Sequence, residues 1–428
     1  MQGNKLWINK LNQINSRILM PAVFITFVLF NTVINLWLDK SLETIQNLLV
    51  IGVVGIVIIN FLLKSKEEKM SLIKANYLLI AYIVIRAVSF INSGMDYSVA
   101  RTIFFEVFFL IGITKITIDK RALKKIYIYG FLIIEFILTL LCLIIYYMGE
   151  KILRSDLEFL NNYTYYLKNN TAAIFSNPNT AGIMAAFAII LMFAIYRREW
   201  SIKIKVFASI FAIYNVLFLF TQNTRSAEIG FLAVILVLIF KTFSKKIDKK
   251  RLCHITLIGC LIIMAGAYTF IQYNISIDPR ANNDLEERIN ELSSNRYAIW
   301  KGCIIEQNEH KLFGAGNLAL EEKNRKLMFT EENEYRYPMR KSANFGPHNG
   351  YIGMISGTGW LGFIIFISLL FQRINRAKAL NKYNWYLLIV FIFAINLFES
   401  LFILNRFFTC FYLFLILEMD DIEELSEG

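Results

Sequence analysis

The chain has 428 residues, of which 56% are hydrophobic and 18% charged. That balance excludes an ordinary soluble globular protein of this size and fits a multi-span helical membrane protein. The net charge of +12 invites a nucleic-acid reading, but the basic residues lie in short clusters between apolar runs, as cytoplasmic loops beside anionic lipid do. No nucleic-acid partner is expected.

The first segment, Met1 to Met20, is polar and basic, and no small-residue cleavage site follows it. It reads as the lead-in to a retained first helix, not as a removable signal. Runs able to cross about 30 Å of hydrocarbon fall at 18–37, 47–63, 77–92, 98–115, 126–148, 180–196, 206–222, 228–240, 252–271, 350–371, 385–403 and 406–418. The expected fold is therefore an all-α polytopic membrane protein of about twelve spans.

Orientation follows from the basic residues. With the N-terminus inside, the inner segments hold Lys5, Lys10 and Arg17, then clusters at 64–74, 115–125, 197–205, 241–251 and 373–382, whereas the short outer loops hold only Lys40, Arg225 and Arg406. The positive-inside rule selects that arrangement. Both termini are expected on the cytoplasmic side of the cell membrane.

Two outer segments are long, at about 149–179 and 272–349. The second carries a helix-like stretch from Asn295 to Ile305, with Ser293 or Ser294 as a cap and a turn at Gly314 and Gly316. Long loops of this kind are usually functional. The chain thus divides into spans one to nine (1–271), a large outer loop carrying short helices (272–349), and spans ten to twelve with an acidic cytoplasmic tail (350–428).

Charges inside spans are costly and are candidates for function. Arg86, Arg101, Glu106 and Glu135 lie in such positions, and Glu399 lies near the outer end of the eleventh run. Arg86 or Arg101 either pairs with Glu106 or Glu135 to lock helices, or lines a cavity for an anionic headgroup. Gly353 and Gly357 give the tenth run a small-residue face suited to close helix packing. The five cysteines show no disulfide or zinc spacing.

Three outer-face segments stand out. In the tight link Gln222 to Glu228, Arg225 goes against the positive-inside bias, and Ser226 is placed to cap the next helix. Arg225 is either a residue of a cleft or an interfacial snorkelling side chain. Arg296 and Trp300, four residues apart, share one helical face. His348, followed by Asn349, stands where the large loop re-enters the membrane, fixed by Pro347. A lone histidine there is more often a cap or a surface residue.

Together these segments resemble the bacterial O-antigen ligase and polysaccharide polymerase family. The resemblance rests on Thr224-Arg225-Ser226 before a helix, on Arg296 followed by Ile299-Trp300, on Gly314-Ala315-Gly316, and on His348-Asn349-Gly350-Tyr351 leading into Gly357, Gly359 and Gly362. Asn177-Pro178-Asn179 also fits, and the motifs span roughly 177–365. The link Asn223-Thr224-Arg225 is poorer in glycine and serine than the usual form.

The resemblance implies a GT-C-like membrane glycosyltransferase acting on an undecaprenyl-diphosphate-linked oligosaccharide at the outer face. It implies diphosphate binding by Arg225 and Arg296, with lesser expectations for Arg86, Arg101 and Asn349, and catalysis by His348 as general base. An arginine fork matches phosphate oxygens, so no metal and no cofactor is expected, in keeping with the missing DxD motif. The low-Pro, Ile-, Asn- and Lys-rich composition suits an AT-rich bacterium, and a Gram-positive one, lacking lipid A, would favour a capsule or exopolysaccharide polymerase; O-antigen polymerisation and a chain-length regulator as partner also belong to the expectation. The alternatives are ligase-type transfer to lipid A core, a cell-wall polymer or a protein, and, from a different class, a flippase of lipid-linked saccharide.

Overall fold

The computed structural model describes residues 10–30, 39–95, 97–108, 123–152, 175, 178–196, 199–244, 246–277, 284–293, 296–316, 347–378, 380, 384–402 and 408–418. Every regular element among them is helical. In chain order these are α1 (Met20–Phe30), α2 (Asp39–Leu62), α3 (Lys66–Ala75), α4 (Tyr77–Asn92), α5 (Tyr97–Val107), α6 (Phe131–Ile152), α7 (Pro178–Ile195), α8 (Ile202–Thr221), α9 (Arg225–Phe243) and α10 (Lys249–Ile277). The large loop contributes α11 (Asp284–Leu292) and α12 (Arg296–Glu309), and the C-terminal part α13 (Gly350–Arg376), α14 (Tyr386–Ile395) and α15 (Phe408–Glu418). Short π-helical turns, Asn15–Leu19 and Leu123–Gly130, lead into α1 and α6.

Each expected run overlaps one of these helices, with 31–37 and 109–115 outside the described residues, but the described helices do not establish twelve spans. Six of them are long and apolar enough to cross a membrane, and the pair α3–α4, bent by 76°, makes a seventh if counted as one broken span. The helices α7, α14 and α15 are apolar but shorter. In α14 every residue is buried, because α7, α9, α10 and α15 all pack around it. An all-round apolar sequence is what such a central position demands. On α8, by contrast, Phe207, Ile210, Ile213, Leu217 and Phe220 are exposed. A large apolar face of that kind is suited to lipid.

Aromatic rings tie α1, α6, α7 and α15 together. Phe24 lies 4.9 Å from Tyr127, Phe131 5.1 Å from Phe408, and Phe187 4.8 Å from Tyr412, ring centre to ring centre. The pairs are edge-on or tilted, the arrangements favoured by the ring quadrupole.

The helix that leads out of the loop is interrupted. In α13 Gly359 adopts φ 66°, ψ 179°, and the segment Lys311–Gly316 lies against the break. Trp360 and Leu361 donate their N–H groups to the carbonyls of Lys311 and Leu312 at 2.9 and 3.2 Å, while Ala315 and Gly316 donate to Ser356 and Gly357 at 2.9 and 3.1 Å. The groups freed by the break are thereby paired within the protein, which is the condition for irregular backbone inside a membrane bundle. The expected turn at Gly314 and Gly316 is present, with φ of 70° and 74°. A Cβ on Gly314 would stand 2.5 Å from the Gly359 nitrogen, so only glycine allows this approach.

Arg86 and Glu106 form a buried pair at 2.6 Å linking α4 to α5. Arg86 also donates to the Gly357 carbonyl at 3.0 Å, and Asn92 donates to that of Gly314 at 3.1 Å. Arg86 therefore holds two helices against the interrupted third. Glu135, on α6, accepts from Asn215 of α8 at 3.4 Å.

Candidate functional site

One end of the bundle gathers the starts of α7, α9, α12 and α13 and the turn after α14. Asn349 begins α13 by accepting the N–H groups of Tyr351 and Ile352, both at 3.0 Å. This is an Asn N-cap, satisfying two donors that the first turn would leave open. Its amide donates to the Leu397 carbonyl at 2.9 Å, and its backbone N–H to the Ser400 hydroxyl at 3.1 Å. Gly350 donates to the Asn396 carbonyl at 2.7 Å, an approach that a Cβ would block. The start of α13 is thus stitched to the segment 396–400.

His348 precedes this cap with φ 46°, a left-handed conformation that costs a non-glycine residue about 1–2 kcal/mol. The neighbours hold it there: Asn349 on one side, and on the other Pro347, whose carbonyl accepts from the Trp300 indole at 2.8 Å. The imidazole is left about one-third exposed, at 37%.

Glu399 is the point on which the site converges. Its Oε1 accepts from Arg296 Nη2 at 2.8 Å, from Asn179 Nδ2 at 2.9 Å and from Ser226 Oγ at 3.3 Å. Its Oε2 lies 3.4 Å from His348 Nδ1. Arg296 in addition donates to the Phe398 carbonyl. The carboxylate is buried and opposed by a guanidinium, the arrangement in which a buried charge is tolerable.

The shared face expected for Arg296 and Trp300 is present, since both reach the 347–399 region from α12. Ser293 supports the start of that helix, accepting the Tyr297 N–H at 3.0 Å. Beneath it, Lys301 and Glu286 form a buried pair at 3.2 Å between α12 and α11, and the Tyr297 hydroxyl donates to the same carboxylate at 2.5 Å. Burial, with Glu286 beside it, pushes the Tyr297 phenol well above its ordinary range. It stays a donor, and α11 and α12 are fixed as one unit.

Ser226 behaves differently from expectation. The helix α9 starts two residues earlier, with Thr224 as its N-cap and no side-chain cap bond, so Ser226 lies within the first turn and turns its hydroxyl to Glu399. Thr224 is pressed against α7, where a Cβ on Gly182 would come within 2.7 Å of it. Arg225 is exposed and donates to the Leu292 carbonyl at 3.1 Å, beside Ser226 but not on the Glu399 carboxylate. Arg86 sits apart, in its pair with Glu106. Arg101 belongs to α5, and its side chain lies outside the described residues.

Sequence reasoning missed the role of Glu399, noting it only as a charge near a span end. Asn179 was visible only as part of Asn177-Pro178-Asn179. The signal available was one acid in the largely apolar run 385–403.

The far end of the bundle is tied by cations. Lys250 donates to the Asn375 carbonyl at 2.7 Å, Arg373 to Asn76 Oδ1 at 2.9 Å and Arg376 to the Ala75 carbonyl at 3.0 Å. Arg373 and Arg376 end the helix that His348 and Asn349 begin. The two basic clusters and the His348–Glu399 group therefore occupy opposite ends of α13.

In comparisons with known proteins, a search of the curated proteins finds no match to the chain. Against protein families, residues 210–367 match the family described as O-antigen ligase. That stretch contains Arg225, Arg296, the glycine turn and His348, whereas Glu399 and Asn179 lie outside it. Residues 210–367 of this helical bundle are thus similar to the O-antigen ligase family.

Proposed function

We propose that this chain is a polymerase of lipid-linked oligosaccharide repeat units, acting on an undecaprenyl-diphosphate donor at the outer face of the cell membrane. The match of residues 210–367 to the O-antigen ligase family supports glycan transfer of the O-antigen ligase or polymerase type from a lipid-linked oligosaccharide. The observation that carries the reading to residues is the junction of His348 and Arg296 on one carboxylate, at the end of the bundle opposite the basic clusters.

In this reading Arg296 and Arg225 hold the diphosphate, and the starts of α7, α9 and α13 add the positive ends of their helix dipoles. The acceptor hydroxyl attacks the anomeric carbon, and the bond from that carbon to the diphosphate oxygen breaks. The departing oxygen carries negative charge, which the arginines stabilise. His348 takes the hydroxyl proton on Nε2, the ring nitrogen other than the one facing Glu399. The lipid tail lies along apolar helix faces, which accounts for a transferase built as a membrane protein. The twelve-span arrangement with both termini inside belongs to this proposal.

The test uses the purified full chain in nanodiscs, with lipid-linked repeat units extracted from cells lacking its gene. The expected product is a lipid-linked polymer of two or more repeats, with release of lipid diphosphate. Transfer only to another added acceptor would replace the polymerase reading by a ligase. Accumulation of single units on the inner face of deletion cells, with no transfer in vitro, would replace both by a flippase.

A further inference from the structure

Glu399 has a division of labour between its two oxygens. Three donors from three elements converge on Oε1: Arg296 Nη2 from α12, Asn179 Nδ2 from α7 and Ser226 Oγ from α9. Oε2 faces the imidazole, 3.4 Å from His348 Nδ1. The carboxyl plane is therefore fixed from one side and presents its other oxygen to the histidine. The carboxylate side chain is 9% exposed and the imidazole 37% exposed. The acid is held inside, and the ring reaches outward.

We infer that Glu399 is the positioning residue of the transfer reaction, holding His348 in the tautomer with Nδ1–H toward the carboxylate and Nε2 free to accept the acceptor's proton. An ionised carboxylate only accepts hydrogen bonds, so the ring nitrogen facing it must carry the hydrogen. In a neutral imidazole the other nitrogen then holds the lone pair. The same carboxylate stabilises the imidazolium that forms once the proton has moved, the role a buried acid plays behind other catalytic histidines. Arg296 makes the arrangement affordable, since a buried carboxylate without a cationic partner would be costly. Because the guanidinium and the imidazole are anchored to one carboxyl group, base and diphosphate site also keep a fixed separation. The proton goes from the acceptor hydroxyl to His348 Nε2, and the electron pair of the broken bond leaves with the diphosphate. Glu399 neither gains nor loses a proton.

This inference rests on the transferase reading above, and the experiment separates the two. Turnover and donor KM are measured for Glu399→Gln, Glu399→Asp, His348→Ala and the double variant Glu399→Gln/His348→Ala. All are full chains in nanodiscs, supplied with lipid-linked repeat units from cells lacking the gene. Glu399→Gln should lower kcat by about 10- to 10³-fold, less than loss of the base itself, with donor KM within about threefold of the parent. Glu399→Asp keeps the charge and should fall between Gln and the parent. The double variant should be no slower than His348→Ala alone, since residues acting through one another are not additive. Parent-like kcat in Glu399→Gln, or a loss confined to donor KM, would overturn the inference. So would a double variant tenfold slower than His348→Ala. If Glu399→Gln does not insert, Glu399→Asp decides alone: a lowered kcat at unchanged KM supports the role, and a change in KM alone refutes it. Normal turnover in His348→Ala would instead bring down the general-base reading itself. A dead His348→Ala beside a normal Glu399→Gln would remove only Glu399.

Discussion

Trp300 holds Pro347 by its indole N–H, 2.8 Å from the carbonyl oxygen, so α12 grips the residue immediately before His348. One turn earlier on α12, Arg296 reaches the Phe398 carbonyl and Glu399. The helix therefore clamps both the peptide that carries the histidine and the acid that faces it. Loop and membrane bundle form one site through these two side chains, four residues apart.

His348→Ala is expected to lose on the order of 10²–10⁴-fold in turnover, the usual contribution of a positioned base. His348→Gln keeps a hydrogen-bonding group without basicity and is expected to be as inactive. The nanodisc polymer assay reads both. Near-normal polymer from the Gln variant would make His348 a binding residue.

Arg225→Ala and Arg296→Ala are each expected to abolish polymer while the protein remains inserted. Lysine should restore little at either position, because an ammonium lacks the planar fork that pairs with two phosphate oxygens. Arg296→Lys also gives up the geometry by which one side chain serves both Phe398 and Glu399. Activity retained in both lysine variants would show that charge alone suffices; activity in both alanine variants would remove them from the site.

Chelation provides a separate check on the chemistry. EDTA is expected to leave polymer formation unchanged, since the arginines are assigned the diphosphate charge. Loss of activity restored by a divalent ion would refute the metal-free mechanism.

Substitution of Gly359 by alanine is expected to destabilise the bundle without touching the reacting groups. The residue sits at φ 66°, and a Cβ would meet the Leu312 carbonyl. A loss of about 2 kcal/mol or more is expected from strain and displaced backbone pairing. Thermal unfolding in detergent should register it as a lowered Tm, and a parent-like Tm would show that the loop does not depend on the break.

Single-cysteine labelling with an impermeant reagent tests sidedness. Positions 296 and 348 are expected to react from outside intact cells and position 246 only after permeabilisation, because the basic loops belong inside. Outside labelling of position 246 would overturn the orientation.

The amino-acid sequence by itself determined the class of the fold, because apolar runs and basic clusters are local signals set by the bilayer's thickness and charge. It also located Arg225, Arg296, the Gly314–Gly316 turn and His348, since each lies in a short contiguous motif. Only the tertiary structure decided what those residues meet. Glu399 is 51 positions from His348, 103 from Arg296 and 220 from Asn179, and no periodicity links such distances along a chain. The break in α13 was likewise hidden, because Gly359 reads only as one residue of a glycine-rich helix until Lys311–Gly316 is seen supplying its partners. Nor could the sequence choose between a clamp and a cavity for Arg86, where pairing with Glu106 depends on how α4 and α5 pack. Side-chain partners across helices are set by packing of the whole bundle, and that information is not local.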